Sequence, residues 1–429
     1  MFRNLLYYKK GGCPLKKFLF RLNESIWFTP TIFTIFSAVL AIATVLLDTL
    51  YIGELVDTLP YFMLTTVDLA QTILGTIAGA LLTMTTITFS TIMVVLTTYS
   101  SQFSPRVLKN FISDKVTMRV LGIFMGGFVY SILSLLFMRE ASIDHNVISA
   151  VVGVVFAVVC LAFFAYFIHN VATSIQVSNL VADLTGDAEE VLERYQKLYT
   201  NYSHALLGER PTALEQSVQY IASPAYGYIQ FVEFEKLLDF TKKNQAHVDI
   251  HFPIGGFVTP SDRLVSLYSD KECQLDIKDY FAIGPEPSAD QDIAYSIQKL
   301  VEIALRAISP GINDPNTAIL CIRHIGALLP GALRISSSYT QLSCDEGRVV
   351  IPGHPARYLL HQTFSGIAHY GREDVNVLVA SLDALERIPD QVLREELAHY
   401  LMAHFNEACL EPLDQELVTS TISRILMKS

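Results

Sequence analysis

Residues Leu69–Pro105 read LAQTILGTIAGALLTMTTITFSTIMVVLTTYSSQFSP, 37 residues without an acidic or basic side chain. About 20 helical residues cross a bilayer core of about 30 Å. The run therefore predicts one helix that begins near Ala70, spans a membrane and continues past its inner face. Three further stretches are equally bare of charge and long enough to cross: Ile26–Leu47, Val120–Met138 and Val147–Ile168. The sequence thus predicts a polytopic α-helical membrane protein with four transmembrane helices in residues 26–170.

Composition agrees. Charged residues make up 17% of the 429-residue chain, against about 25% in an average soluble domain. Secreted disulfide scaffolds, disordered chains and simple cytosolic enzymes are excluded. The first apolar run starts late and outlasts a signal-peptide core, so no cleaved leader is expected. Arg3, Lys9, Lys10, Lys16, Lys17 and Arg21 precede the first span, and Arg106, Lys109 and Lys115 follow the second. The loop between them carries Asp48, Glu54, Asp57 and Asp68 and nothing basic. The positive-inside rule then places both termini in the cytoplasm. Trp27 falls at the inner interface, and residues 1–25 form a basic segment suited to an anionic leaflet.

Within the 37-residue run, Thr72, Thr76, Gly79, Thr83, Thr86, Ser90 and Thr97 recur at steps of four and three, with Met93 filling the one gap. That spacing draws a stripe along one helix face. Such a stripe has two uses. Small residues let helices approach, with hydroxyl bonds of about 0.6 kcal/mol as glue. Alternatively, several copies surround an axis and the hydroxyls line a wetted path. Gly122-x-x-x-Gly126 and the Ser149, Gly153, Ala157 series suit close crossings within a subunit or between copies. Where the long helix leaves the membrane, Pro105 ends or bends it, making Ser101, Gln102, Pro105 and Arg106 hinge candidates or a plain inner loop.

Residues 171–429 hold 20 Lys/Arg against 34 Asp/Glu, a net −14, while residues 1–170 carry 11 against 8. A half so acidic is no nucleic-acid partner. The six cysteines show no close pairing, which fits a reducing compartment and neither a disulfide framework nor a zinc site. Residues 171–225 read as helices that continue the fourth span and couple it to the soluble part. In 226–285, Tyr228–Val232, Val248–Phe252, Leu264–Tyr268 and Leu275–Phe281 read as short strands of a small β-module around an amphipathic Phe234–Asn244. Residues 286–429 read as a helical subdomain, with helices near 291–309, from Asp314, and at 357–370, 373–387, 390–409 and 412–427. Residues 336–355 read as an irregular insertion with a strand at Val349–Ile351.

No phosphate-cradling loop, H-E-x-x-H or G-x-S-x-G occurs, so neither a cofactor nor an enzymatic activity is expected. Polar residues crowd instead around one helical junction: Gln291, Asp292, Glu302, Arg306, Asn313 and Asp314 are candidates for a small-ligand or subunit contact. The plain alternative is a well-capped hairpin with a surface ion pair between Glu302 and Arg306.

Ser25-Ile26-Trp27-Phe28, Ile77-Ala78-Gly79, Ser100-Ser101-Gln102-Phe103-Ser104-Pro105-Arg106, Gln291-Asp292 and the run Ile303–Pro315 with its S-P-G-I-N-D-P string carry a resemblance. They resemble the bacterial membrane family catalogued as domain of unknown function 2254, over nearly the whole chain. The resemblance implies a bacterial inner-membrane protein of four spans and supplies no catalytic residues. Glu286-Pro287-Ser288 departs from the E-R-T the family pattern carries before Gln291. Two functions fit: a homo-oligomeric ion conduit lined by the second span, or a membrane-anchored sensor or scaffold whose soluble half binds a small ligand or protein.

Overall fold

The structure, a computed structural model, describes residues 28–50, 64–102, 115–138, 147–174, 176–211, 217–345, 347–405 and 410–427. The chain divides into two compact units at Gln176–Val177. The first holds four apolar helices: α1 (Phe28–Leu50), α2 (Val67–Gln102), α3 (Lys115–Phe137) and α4 (Ser149–Ser174). At 36 residues, α2 is about 54 Å long, well beyond a bilayer core.

Glycines set the closest approach, between α1 and α3. A Cβ on Gly122 would lie 3.0 Å from the Pro30 Cα and one on Gly126 3.2 Å from the Phe33 carbonyl oxygen. The G-x-x-x-G step is therefore used inside the chain. Leu74 and Leu81 of α2 reach Gly153 of α4 and Gly127 of α3.

One end of this unit is tied by polar groups. The Asp48 carboxylate near the end of α1 is 2% exposed and accepts from the Ile148 and Ser149 amides at 2.8 and 3.1 Å. It thereby satisfies two orphan donors at the start of α4. The Tyr130 hydroxyl donates to the Ser149 carbonyl at 2.9 Å, and Thr65 pairs with Val147 through both main-chain bonds. Asp48, counted from sequence among the loop charges, is a buried cap. Asp48→Ala strands both amides and is expected to destabilise this unit by about 2–3 kcal/mol, seen as a lower thermal midpoint of the purified protein.

The second unit opens with a helix of its own, α5 (Val177–Asn201). Two sheets follow. The larger runs β1 (Ser203–Leu207), β8 (Tyr339–Cys344), β9 (Gly347–Pro352), β4 (His247–Ile250), β6 (Arg263–Tyr268) and β2 (Val218–Ala222) in spatial order, antiparallel except for β4 beside β9. The smaller is β5 (Phe257–Val258), β3 (Gly227–Val232) and β7 (Phe281–Gly284). Helix α6 (Phe234–Asn244) inserts Phe234, Leu237 and Leu238 into a core shared with Val248, Ile250, Val265, Leu267, Leu342, Val349 and Ile351.

This arrangement corrects the sequence-based order of a sheet module followed by helices. β1, β8 and β9 come from outside residues 226–285, so the sheet interleaves with the helical part. Residues 203–222, read as helix, hold two strands: Ala205, Leu206 and Leu207 favour helices locally, and cross-strand pairing with β8 overrides them. The supposed strand Leu275–Phe281 contains a helical turn, α7 (Ile277–Tyr280), begun by the Asp276 side chain. The insertion at 336–355 is the β8–β9 hairpin.

The remaining helices are α8 (Ile293–Ala307), α9 (Pro315–Ile335), α10 (Ala356–Tyr370), α11 (Val375–Leu385), α12 (Gln391–His404) and α13 (Pro412–Met427). The count of four membrane-length helices is not what the described residues give. Five are long and apolar enough to cross, the fifth being α9. Its apolar content reflects its place: α9 packs against α5, α8 and α11, burying Cys321, Ile322, Ile325, Leu328 and Leu329. Arg323, His324 and Arg334 interrupt the run, which is why a reading by uncharged stretches does not single it out.

Candidate functional site

Two places gather the residues singled out from sequence. In the first unit, α2 has two opposite faces. Ala70, Leu74, Ala78, Leu81, Thr88 and Val95 are buried, each two residues, or about 200°, from a member of the stripe. Thr72, Thr76, Gly79, Thr83, Thr86, Ser90 and Thr97 are all exposed. Nothing lies within 4 Å of a Cβ built on Gly79. Among the described residues the stripe therefore takes no part in packing within this unit.

The threonine hydroxyls are already engaged. Those of Thr72, Thr76, Thr83, Thr86 and Thr97 donate to carbonyls one turn back, at 2.8–3.0 Å. Each hydroxyl has one hydrogen, so the oxygens present only lone pairs outward. A row of acceptors suits water or cations. Of the hinge candidates, Ser101 and Gln102 close α2, whereas Pro105 and Arg106 lie outside the described residues.

In the second unit the polar junction separates into two capped helix starts. Gln291 lies across the edge of β3, its amide nitrogen donating to the Val232 carbonyl at 2.9 Å and its amide oxygen accepting from the Val232 amide at 2.8 Å. Tyr195 donates to the Gln291 carbonyl at 3.0 Å. Asp292 caps α8, accepting from the Tyr295 amide at 3.0 Å. Gly255 makes room for it: at φ +80° its missing Cβ would overlap the other Asp292 oxygen, so only glycine serves.

Asp314 caps α9 in the same way, accepting from the amide and hydroxyl of Thr317 at 3.2 and 2.6 Å. Asn313 before it is left-handed, at φ 52°, as asparagine tolerates. The S-P-G-I-N-D-P string is thus a tight reversal that leaves Gly311, Ile312 and Asn313 exposed. Glu302 is half-buried and Arg306 exposed, one turn apart on α8. His324 packs on α5, its Nδ1 2.9 Å from the Thr185 oxygen. Thr185 donates its own hydrogen to Val181, so Nδ1 carries the ring proton.

Asp292 also lines a cleft of about 60 Å³ with Tyr195, Tyr199, Thr340 and His354 among apolar Ile254, Leu342 and Ile351. At 10–15 Å³ per water centre, it has room for about four waters. Burial pushes the Asp292 carboxyl up to about 6, partly offset by the amides of Tyr295 and Ala294. Burial also raises the Tyr195 phenol and lowers the His354 imidazole. The cleft thus holds one group that changes charge just below neutrality. Among the described residues no three His, Cys, Asp or Glu side chains converge as metal ligands. Sequence reading picked out Asp292 but not Tyr195, Tyr199 or His354, the first two reaching the cleft from α5 and the third from the segment between β9 and α10.

Several helices of membrane-crossing length beside a mixed α/β unit define a multi-pass membrane protein in class. More particularly, the chain matches the family described as "Predicted membrane protein (DUF2254)" over residues 23–387 and belongs to it. Uncharacterised proteins of Mycobacterium tuberculosis and Mycobacterium bovis are each 27% identical to it over 391 residues, covering 87% of this chain and 73% of theirs. No solved structure matches.

Proposed function

We propose that the protein is the subunit of a homo-oligomeric ion conduit, with α2 lining the path and residues 177–429 as its cytoplasmic regulatory part. The observation that carries this reading is the outward hydroxyl stripe. Seven small or hydroxyl residues of α2 point away from their own chain, and the threonine hydrogens are engaged. Facing lipid, a row of oxygen lone pairs would go unsatisfied; facing an axis shared by several copies, it meets water and cations. We assign α1–α4 to the bilayer and α9 to the soluble unit, where helices pack on three sides of it and His324 is hydrogen-bonded. The Lys/Arg distribution places both termini in the cytoplasm.

A second reading, a membrane-anchored sensor, draws on the Asp292 cleft. Reconstitution in planar bilayers separates the two. Unitary currents that Thr83→Leu and Ser90→Leu each reduce or abolish support the conduit, and the reversal potential across a salt gradient should show cation selectivity. Silence from folded protein, or currents that both replacements leave unchanged, overturns it in favour of the sensor.

A further inference from the structure

The larger sheet has one face on the core and one turned away from it. Strand register places Ser343 and Gln341 of β8, Arg348 of β9, His247 and Asp249 of β4 and Ser266 of β6 on the second face. Arg348 stands directly opposite His247, with Asp249 its diagonal neighbour on the same face. The connection leaving β1 brings Arg210 onto the same face. Its Nη2 is 3.6 Å from the Asp249 Oδ2 and 3.4 Å from the His251 Nδ1. Since arginine only donates, His251 accepts there and its Nε2 donates to the Ser266 hydroxyl at 2.6 Å.

What this network leaves over is specific. Asp249 is 2% exposed, yet its Oδ1 has no hydrogen-bond partner among the described residues. The Nε and Nη2 of Arg348 are both buried without partners among those residues, as is the His247 Nδ1. Nε and Nη2 form the side of a guanidinium that grips an oxyanion through two parallel bonds. A buried fork without its anion, on the same sheet face as a buried carboxylate oxygen without its donor, is a poor end state for a purely structural network. Charge points the same way: Arg210 and Arg348 face a single carboxylate, and Arg263 adds its field at His251.

We propose that this face binds a phosphate group that retains a P–OH, as orthophosphate or the monoanion of a phosphate monoester. Two phosphate oxygens fill the Arg348 fork, and the P–OH donates to Asp249 Oδ1. The carboxylate is the selective element. It accepts from a protonated oxyanion and repels one without a proton, so sulfate and phosphodiesters are rejected. Arg210, its side chain 39% exposed, marks the side open to water.

The test is calorimetric titration of the full-length protein in detergent at pH 6, where about half of a phosphate monoester keeps its P–OH, with orthophosphate, glycerol 3-phosphate, sulfate and glycerophosphocholine. The first two should bind saturably and the last two at least about tenfold more weakly, the effect of one buried acceptor left unpaired. Tighter binding of the monoester identifies a phosphorylated molecule as the ligand, and tighter binding of orthophosphate the free ion. Asp249→Asn should bring sulfate level with phosphate, because the amide donates to an oxygen that has no proton. Arg348→Gln should weaken phosphate by about tenfold or more. Absence of saturable phosphate binding by the unaltered protein, or equal binding of sulfate, overturns the proposal without reference to how either variant folds.

Discussion

Asp292→Asn will raise the thermal midpoint of the α/β unit at pH 7.5 and remove most of that midpoint's decline between pH 4 and 6.5. The folded carboxyl titrates at about 6 against an ordinary 3.8, so the folded state holds its proton more tightly than the unfolded state does. Below 3.8 both states are protonated and the stabilisation is complete. As pH rises, the unfolded chain loses its proton first, and stability falls until the folded carboxyl ionises near 6. The gap between 3.8 and about 6 corresponds to about 3 kcal/mol. Asparagine stays neutral and still accepts the Tyr295 amide, being as good an N-cap as aspartate. It replaces one acceptor oxygen with a donor and so loses the bond from Ala294. A net gain of about 1–2 kcal/mol at pH 7.5 remains, or roughly 3–8 °C for a unit of this size. Scanning calorimetry of the full chain across pH 4–8 checks this. A flat wild-type profile, or a variant less stable at pH 7.5, would show that Asp292 is ionised at no energetic cost in the fold. A carboxyl that lowers stability at neutral pH while lining a cleft with room for water is the strongest argument for the sensor reading.

Much of this architecture is local chemistry and therefore legible. The uncharged run of α2, the Asp-Pro start of α9 and the Asp292 cap of α8 each depend on neighbours within a few residues. The misreadings fall where distant residues decide. Ser203–Leu207 has the composition of a helix and becomes a strand because β8, more than 130 residues away, offers its edge. α9 is apolar enough to cross a membrane, and its apolar face packs against α5, α8 and α11, which lie far from it in sequence or on its other side. Asp48 looks like a loop charge until its partners at residues 148 and 149 are known. Val248-Asp249-Ile250-His251-Phe252 reads as a strand, but Arg210, Ser266 and Arg348 complete the polar face of the strand from three other segments. Local patterning signals a period; only the fold says which side of that period meets another chemistry.

Gly126→Leu and Gly79→Leu, the same change on two apolar helices, will fail in different ways. At Gly126 even a Cβ meets the Ser37 Oγ at 2.5 Å and the Phe33 carbonyl at 3.2 Å. A leucine there cannot be relieved by one side chain turning, because the second neighbour is main chain. α1 and α3 must part, and overpacking of this kind destabilises by about 1–3 kcal/mol or more. The purified protein should melt earlier by circular dichroism or fail to accumulate in the membrane. At Gly79 the same side chain enters open space, so the protomer should fold and melt as the wild type does. Its effect is expected between copies. Leucine on the stripe separates helices that small residues let approach, so the particle mass in mild detergent should fall towards that of the monomer and unitary currents should be lost. Light scattering and the planar-bilayer recording read these two outcomes independently. Wild-type mass and current from Gly79→Leu would release the stripe from any role between chains, leaving α2 a lipid-facing helix and moving the search for function to the α/β unit.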